Sequence, residues 1–426
     1  MSTDTTQTCP TVRYTFHGTR APFVLHRVST PAGPQFPTTV CELGVPFSAS
    51  NAVLEASTIH ATSWHPANHE LPLPNWGANP RPRSVAVIGD TGCRVPTMGL
   101  VQDCANGWPF GQISKSAAAT KPDLVVHVGD YLYREDPGKA NDTNLNPGCT
   151  TAGDRAHWDC VVADFFRPAA DLLAVSPVAL TRGNHEACQN GQSGGTGSAW
   201  FRYLADNLLD NGSCTEFTYP PSLIRAGTLT LASVDSSSAD PSDNGTTTSA
   251  ETTEFRDEFT VVNQDAQQYP GNDYFVFTHK PLWMVKSVGT TPTAVTWVTH
   301  ALDSGLAATT LGRLADNVRL VLSGHIHLYQ MVDFLNSTRP PQVTVGASGA
   351  LPLDIGPPDS MTPGKLVGDP TQTVNQSRTQ QGILGYAVLL DNGGNWDLTF
   401  HDAAGMALPQ ICTLDASLTN KKFTCH

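Results

Sequence analysis

The chain has 426 residues and a formal net charge of −13, because 38 acidic side chains outnumber 25 basic ones. This charge, without any basic stripe, argues against a nucleic-acid partner, since phosphate backbones are bound by clustered cations. No stretch reaches the length of a membrane span, so we expect no membrane partner, and the composition leaves the oligomeric state open.

The first 80 residues contain short β-like runs that Pro and Gly interrupt, namely Thr11–Phe16, Phe23–Val28 and Val53–Thr58. The segment 71–83, with the sequence LPLPNWGANPRPR, has the composition of a linker. We therefore expect a small β-rich N-terminal extension of residues 1–80 that packs on a main domain of residues 81–426.

From Ser84 onward, short apolar runs alternate with longer helical patterns, which is typical of a layered α/β domain. The predicted strands are Val85–Ile88, Leu124–Val128, Val178–Thr181, Leu229–Val234, Tyr274–Phe277, Val318–Leu322, Val343–Ala347, Tyr386–Leu390 and Asp397–His401. The predicted helices are Ala156–Leu173, Trp200–Leu209, Thr252–Gln268 and Val295–Asp303. Residues 352–381 are rich in Pro, Gly and Thr, and we expect a long loop there.

Five of the predicted strands run directly into residues that can bind metal ions. In chain order these are GDTG at 89–92, GDYLY at 129–133, GNHE at 183–186, His279, and GHIH at 324–327. In an open α/β sheet, ligands collect beyond the carboxyl ends of the strands. Glycine beside a ligand lets the backbone turn sharply and approach the bound group. The motifs therefore predict one site at one edge of the sheet.

The candidate donors are carboxylates, an amide, a phenol and imidazoles, which suit hard or borderline cations such as Fe, Mn and Zn. They are too many for one ion of ordinary coordination number, and they suit two ions that share a bridging carboxylate. Two cations about 3.5–4 Å apart clamp a phosphoryl group and lower the pKa of bound water. The residues therefore point to phosphate-ester chemistry.

The order of these motifs resembles that of the calcineurin-like metallophosphoesterases. Tyr133, three residues after Asp130, resembles the GD-x-x-Y motif of the purple acid phosphatases. The resemblance covers the chain from Asp90 to His327, and residues 81–426 would then be the catalytic domain. It implies an α/β fold of the four-layer kind, in which mixed sheets are flanked by helices.

The resemblance also implies a ligand set and a pair of metals. Metal 1 would be held by Asp90, Asp130, Tyr133 and His327, and metal 2 by Asn184, His279 and His325, with Asp130 as the bridge. A tyrosinate ligand favours Fe(III), so Fe(III) is expected at metal 1 and Fe, Zn or Mn at metal 2. Because Fe(III) is a stronger Lewis acid than Zn(II), an acidic pH optimum follows as an expectation.

Asp130 and His185 are the candidate catalytic residues. Asp130 would serve both ions, and His185 would face the phosphate and protonate the leaving group. A supporting hydrogen bond is the alternative role for His185. Plant members of the family carry further active-site histidines after the metal-2 histidine, whereas Lys280 follows His279 here and becomes a candidate phosphate contact. Plant members also carry a large N-terminal β-sandwich, so substrate preference stays open.

Taken singly, each motif also has a structural interpretation. Gly-Asp is a common turn. Tyr133 could be a packed aromatic side chain, and Tyr131 could be the tyrosine that faces the core. His279 could end a strand without binding a metal. Glu186 is expected to be a structural partner. It is the conjunction of five motifs in the family's order that favours a metal site.

Ten cysteines form no C-x-x-C pattern, and their spacing suggests local disulfides. The expected pairs are Cys93–Cys104, Cys149–Cys160, Cys188–Cys214 and Cys412–Cys425, with Cys9–Cys41 remaining; scattered free thiols are the alternative. Disulfides indicate an oxidising compartment, so we expect a secreted or periplasmic protein. The polar first residues lack the apolar region of a signal peptide, so export implies a mature form.

The leading functional hypothesis is hydrolysis of phosphate monoesters by a metal-activated hydroxide, as in acid phosphatases, with a small-molecule ester as substrate. A phosphodiesterase or a nucleotide-specific phosphohydrolase would use the same ligands. A catalytically inactive metal- or phosphate-binding module is a different class of function. Its mark would be the loss of a ligand, and every ligand position is matched here.

Overall fold

The computed structural model of the chain describes residues 9–31, 33, 35–58, 69–77, 79–96, 98–99, 101–135, 145–149, 157–188, 196–205, 214, 219–240, 247–288, 293–335, 338–415 and 421–426. Two stacked β-sheets form its centre. The first has seven strands, in the spatial order Phe423–Cys425, Ala407–Leu414, Asn395–Asp402, Gly385–Asn392, Ser84–Ile88, Leu124–His127 and Val178–Leu180. The last three of these strands run parallel to one another.

The second sheet has eight strands, and four consecutive strands in its middle are also parallel. Their spatial order is Leu223–Ala226, Leu229–Val234, Asp273–Thr278, Val318–Ser323, Gln342–Val345, Tyr329–Phe334, Gln372–Gln380 and Leu366–Val367. In both sheets the parallel strands end at an edge where their carboxyl ends lie together.

Each sheet is covered on both faces, which explains why its parallel strands are continuously apolar. Alternate side chains such as Val85 and Phe275 meet between the sheets. The outer face of the seven-stranded sheet packs on the helices Phe110–Ala119, Trp158–Val161, Ala170–Leu173 and Gly197–Tyr203. The outer face of the eight-stranded sheet packs on Ser249–Gln268 and His300–Ala307. This arrangement confirms the predicted four-layer α/β fold.

The N-terminal region is rich in β-structure, as predicted. Its strands Thr19–Val24, Thr11–Phe16, Ser50–Leu54 and Glu70–Leu71 form one sheet, His26–Ser29 pairs with Val40–Glu42, and Ala56–Thr58 is a 3₁₀ turn. Val12, Tyr14 and Ala52 form a small separate core. Phe36 and Trp76 instead pack into the cores of the main sheets. The domain boundary at residue 80 stays a prediction.

The predicted helix Val295–Asp303 is wrong. Val295–Val298 is a strand that pairs with Trp283–Lys286, and the helix begins at His300. The sequence VTWV consists of β-branched and aromatic residues, which favour strands. The carboxylate of Asp240 accepts hydrogen bonds from the N–H groups of His300 and Ala301 at 2.5 and 2.9 Å. This contact with a residue 60 positions earlier in the chain caps the helix and sets the position where it begins.

Two further predictions need correction. The predicted helix Ala156–Leu173, whose first residue lies outside the described residues, is divided by a π-helical turn at Val162–Phe166 and by Pro168, which lacks a backbone N–H. The predicted loop 352–381 contains the 3₁₀ turn Asp359–Met361 and the strands Leu366–Val367 and Gln372–Gln380. For the predicted helix Trp200–Leu209, the structure shows Gly197–Tyr203, and residues 206–209 lie outside the described residues.

The ten cysteines form the same five disulfides that their spacing suggests, namely Cys9–Cys41, Cys93–Cys104, Cys149–Cys160, Cys188–Cys214 and Cys412–Cys425. None of them is free. Within the described parts of the chain, no helix combines the length and the hydropathy needed to cross a membrane.

Candidate metal centre

The motifs predicted from the sequence meet where the carboxyl ends of the parallel strands of both sheets come together. Asp90, Asp130 and Asn184 follow three strands of the seven-stranded sheet, Ser84–Ile88, Leu124–His127 and Val178–Leu180. His279 and His325 follow two strands of the eight-stranded sheet, Asp273–Thr278 and Val318–Ser323. The stacking of the two sheets therefore brings side chains together that are far apart in sequence.

One group of donors surrounds the phenol of Tyr133. Its hydroxyl oxygen lies 2.8 Å from Asp90 Oδ1 and 2.7 Å from Asp130 Oδ2. It also lies 3.0 Å from His327 Nε2. Tyr133 is buried, and so are both carboxylates. These are the four side chains that were expected at metal 1. Tyr131, whose hydroxyl donates to the carbonyl of Thr181 at 2.9 Å, is the tyrosine that packs in the core.

A second group of donors surrounds the imidazole of His279. His279 Nε2 lies 2.9 Å from Asn184 Oδ1 and 3.1 Å from Asp130 Oδ2. Asp130, His279 and His325 each offer a ligand atom, and these three atoms lie within 4.8 Å of one another. These side chains are the set that was expected at metal 2. Asp130 Oδ2 thus contacts both groups, which is the position of a bridging ligand.

Three of the candidate ligands have an unusual backbone conformation. The φ angles of Asp90, Asp130 and His325 are 55°, 59° and 71°, in the left-handed region that residues other than glycine seldom adopt. Such strain persists where the surrounding structure enforces it, and it is concentrated at functional sites. The turn after each strand therefore aims the side chain inward at a cost in local conformational energy.

Two glycines allow the close packing of these turns. A Cβ atom at Gly183 would overlap the carboxylate of Asp130, and one at Gly324 would lie 2.5 Å from Asp90 Oδ2. Both contacts are with atoms of the candidate ligands themselves. Glycine is thus required at these two positions, because the backbone lies so close to the neighbouring carboxylate that no space remains for a Cβ atom.

The electrostatics of the cluster favour a bound cation. Burial acts to raise the pKa of Asp130, but His279 and His185 outweigh burial and hold it well below its ordinary value. Burial acts to lower the pKa of His279, whereas the Asp130 carboxylate raises it to about 9. Burial and the two neighbouring carboxylates raise the pKa of Tyr133 well above its ordinary value. Two buried carboxylates therefore depend on nearby positive charge, which a metal ion supplies.

The residues fit a pair of metal ions in number and in type. The oxygen donors suit a hard cation, the imidazoles suit Fe, Zn or Mn, and a shared carboxylate suits two adjacent ions. His279 Nδ1 lies 2.9 Å from the carbonyl of Val128, and His327 Nδ1 lies 3.1 Å from that of Pro352. Hydrogen bonds of this kind place the proton on Nδ1 and leave Nε2 available for a metal.

His185 lies at the side of this cluster. Its ring centroid lies 4.0 Å from that of Tyr133, its Nε2 lies 3.9 Å from Asp130 Oδ2, and its side chain is 12% exposed. Its Nδ1 lies 3.0 Å from Glu135 Oε1. Burial acts to lower the pKa of His185, but Asp130 and Glu135 raise it above its ordinary value. Nothing in the sequence distinguishes Glu135 from a solvated surface charge.

Asp164 is a buried residue that the sequence analysis missed. It belongs to the π-helical turn and accepts hydrogen bonds from the N–H groups of Cys93 and Tyr133, both at 2.9 Å. It also pairs with Arg134 at 2.7 Å. Asp164 therefore ties the loop that follows Asp90 to the loop that contains Tyr133. The available signal was an acidic residue inside the apolar run VVADFF.

Other neighbours of the cluster have structural roles. Glu186 is buried and accepts hydrogen bonds from the N–H groups of Tyr131, Leu132 and Gly183 at 3.0, 3.0 and 3.2 Å, as a structural partner would. The ammonium group of Lys280 is buried and donates to the carbonyls of Ala239 and Asp240 at 2.7 and 3.2 Å. Because its ammonium group is held by these two carbonyls, we do not assign Lys280 a contact with the phosphate.

Comparisons with known proteins agree with this geometry. The family model of the calcineurin-like phosphoesterases matches residues 83–329, which is more than half of the chain. No curated protein sequence matches the chain at a significant level. The matched segment contains every residue of the cluster.

Solved structures of low sequence identity show the same fold. A purple acid phosphatase, PPD1 from seeds of yellow lupin (Lupinus luteus), matches 95% of this chain and 69% of its own, with 14% identity and a TM-score of 0.53. The structure of PhoD matches 98% of this chain and 85% of its own, with 13% identity and a TM-score of 0.54. With the family match over residues 83–329, these findings show that the chain belongs to the calcineurin-like phosphoesterase family.

Proposed function

We propose that the protein hydrolyses phosphate monoesters at a two-metal centre of the acid-phosphatase type. The observation that carries this proposal is the position of Asp130, whose carboxylate oxygen contacts both Tyr133 at 2.7 Å and His279 at 3.1 Å. A carboxylate between two donor groups can hold two cations close together. Metal-dependent hydrolysis of phosphoesters follows from the family, and the monoester preference is our inference.

The residues of the cluster would have two kinds of role, metal binding and proton donation. Two bound cations would supply water of lowered pKa and the positive charge that stabilises phosphoryl transfer. Asp90, Asp130, Tyr133 and His327 would hold metal 1, and Asp130, Asn184, His279 and His325 would hold metal 2. His185 would donate a proton to the departing oxygen, since its ring lies beside Asp130 and Glu135 keeps its orientation.

We infer Fe(III) at metal 1 and Fe, Zn or Mn at metal 2. The buried phenol of Tyr133 supports this assignment, because a trivalent cation can displace its proton despite the raised pKa. An acidic optimum is expected, since Fe(III) is a strong Lewis acid. Elemental analysis and an absorption spectrum of the purified protein test the assignment. A colourless, active enzyme without iron would contradict it.

We also propose that the protein works outside the reducing cytoplasm, either secreted or in a periplasm. Five disulfides and no free cysteine support this location, because disulfides persist where the environment is oxidising. The substrate would be a small phosphate ester. Residues 81–426 would form the catalytic domain and residues 1–80 an extension that packs on it.

The test of the reaction compares p-nitrophenyl phosphate with bis(p-nitrophenyl) phosphate at equal metal content. Faster hydrolysis of the monoester is expected. Faster hydrolysis of the diester would favour a phosphodiesterase that uses the same ligands. Two metals per chain without hydrolysis of any phosphate ester, nucleotides included, would favour an inactive binding module.

A further inference from the structure

A β-hairpin that belongs to neither large sheet lies beside the proposed metal 2. Its strands are Trp283–Lys286 and Val295–Val298, and we call it the 283–298 hairpin. It begins four residues after His279 and contacts the second metal-2 histidine, because the rings of Trp297 and His325 have centroids 6.4 Å apart. The hairpin is therefore part of the wall around the site.

The hairpin is firmly attached to the eight-stranded sheet. The N–H groups of Leu282 and Trp283 both donate to Gln342 Oε1 at 3.1 Å. The N–H and carbonyl groups of Val285 bond to the side-chain amide of Gln330 at 3.1 and 2.8 Å. Two buried glutamines thus replace the backbone partners that the hairpin lacks. Its side chains hold a fixed position relative to the metal centre.

The two faces of the hairpin differ in their surroundings. Trp283 and Val285 are buried and pack into the core on the outer face of the eight-stranded sheet. Because side chains alternate along a strand, and Met284 pairs with Trp297, the side chains of Lys286 and Trp297 lie together on the opposite face. On that face Met284 is buried, whereas Trp297 remains partly exposed. Its large aromatic ring thus lies beside His325, a candidate metal ligand.

The ring of Trp297 has two neighbours that limit what it can bind. Its plane makes an angle of 29° with that of His325, so the two rings are nearly parallel. Lys286 Nζ lies 4.9 Å from the ring centre and brings a positive charge to this face. The organic group of an ester bound at metal 2 would lie within reach of this ring. A flat aromatic surface beside a cation favours a planar, electron-rich group over an aliphatic one.

We propose that Trp297 is a specificity-determining residue that contacts the organic group of the substrate and selects phosphate esters of planar aromatic groups. The inference rests on the proposed function and adds a substrate class to it. An aryl or nucleobase ring would pack on Trp297 while its phosphate occupies the metal pair. Lys286 would hold the indole in place and attract the anionic ester.

The test compares kcat/KM for phenyl phosphate and cyclohexyl phosphate, whose organic groups are similar in size but differ in planarity and in leaving-group acidity. The ratio of the two values is expected to fall about fivefold in Trp297→Ala and to persist in Trp297→Phe, since one aromatic contact accounts for a factor of this size. Val295→Ala, on the same strand and face, is the matched control and should leave the ratio unchanged. Because every variant is assayed with the same two esters, the difference in their intrinsic reactivity cancels when the ratios of different variants are compared.

Metal content is measured in each variant, since a purely structural role would alter His325 and its metal. An equal loss for both esters, or a loss that follows the metal content, would overturn the inference. If the wild-type protein hydrolyses neither ester, the proposed function fails, and the inference is then tested by calorimetry. In that measurement Trp297→Ala should weaken phenylphosphonate binding more than cyclohexylphosphonate binding, and an equal effect on both would overturn it.

Discussion

The two sheets contribute different chemistry to the same site. The seven-stranded sheet supplies oxygen donors, from Asp90, Asp130, Tyr133 and Asn184, and the eight-stranded sheet supplies imidazoles, from His279, His325 and His327. The two sides are also supported differently. On the oxygen side, the buried carboxylates of Asp164 and Glu186 accept hydrogen bonds from backbone N–H groups of the ligand loops. On the imidazole side, the carboxylate of Asp354 likewise accepts from the N–H group of His327 at 2.8 Å. In addition, backbone carbonyls lie within hydrogen-bond distance of the ring nitrogens of His279 and His327.

This difference follows from what each kind of ligand needs. A carboxylate on a left-handed turn is placed by its backbone, so the loop itself must be held, as it is at Asp90 and Asp130. An imidazole must present the correct nitrogen, so its ring rotation and proton position must be set. The ligand loops on both sides are therefore held through their backbone N–H groups, and the imidazole side additionally has its rings oriented, as a mixed donor set requires.

The largest effect is expected from Asp130→Ala, since one carboxylate oxygen of this residue contacts both Tyr133 and His279. The variant should lose both metals and its activity, because neither group retains its shared ligand. Elemental analysis and the monoester assay measure this outcome. Asp257→Ala, an exposed carboxylate on the helix Ser249–Gln268, is the control and should keep both. Two metals retained in Asp130→Ala would contradict the bridging assignment.

Asp164→Ala tests the support on the oxygen side. It leaves the guanidinium of Arg134 buried without its carboxylate, and breaking such a pair costs about 3–5 kcal/mol of the free energy of unfolding. Affinity for metal 1 should also fall about 10–100-fold, as for other groups that orient ligands. Thermal unfolding and metal titration measure the two effects. Asp164→Asn keeps an acceptor oxygen and should lose less stability and less metal affinity than Asp164→Ala. Unchanged metal affinity in both variants would show that the ligand loops do not need the support of Asp164.

Tyr133→Phe separates metal 1 from metal 2. Removing the hydroxyl takes away the contact shared by Asp90, Asp130 and His327 while leaving His279 and its neighbours intact. A visible tyrosinate-to-iron absorption band is expected in the wild-type protein and not in this variant, which should still bind a second metal. Tyr131→Phe is the matched control, because that hydroxyl bonds to the Thr181 carbonyl in the core. A band that survives in Tyr133→Phe would place the chromophore elsewhere.

The smallest effect on the metal centre is expected at the opposite edge of the sheets, where none of the candidate ligands lies. Lys421 is buried and donates to the carbonyls of Ala315 and Thr338, and burial lowers its pKa to about 7 from an ordinary 10.5. Between these values the unfolded chain binds more protons, so the free energy of unfolding should rise with pH, by about 1.4 kcal/mol per unit at most. Lys421→Met should flatten this dependence between pH 7.5 and 10 without changing metal content. An identical slope in both proteins would contradict the assignment.

Much of the fold follows from local patterns. Strands such as Val85–Ile88 are apolar throughout because both of their faces are buried, so their composition alone predicts them. The candidate ligands were identifiable for the same reason, since each follows such a strand. The strand Gln372–Gln380 is different, because every residue except Val374 is polar and the strand is held by pairing with Tyr329–Phe334. No periodic pattern marks it.

The sequence by itself determined which residues are candidate metal ligands and that they stand at strand ends, because strand composition and motif order are local properties. Only the tertiary structure decided how the two sheets stack, and stacking is what places Asp130 between Tyr133 and His279. The supporting contacts also depend on the tertiary structure. Asp164 accepts a hydrogen bond from Cys93, 71 residues away, and Asp240 accepts one from His300 at the start of a helix, 60 residues away. Hydrogen bonds over such separations depend on how the layers pack, which a local pattern does not encode.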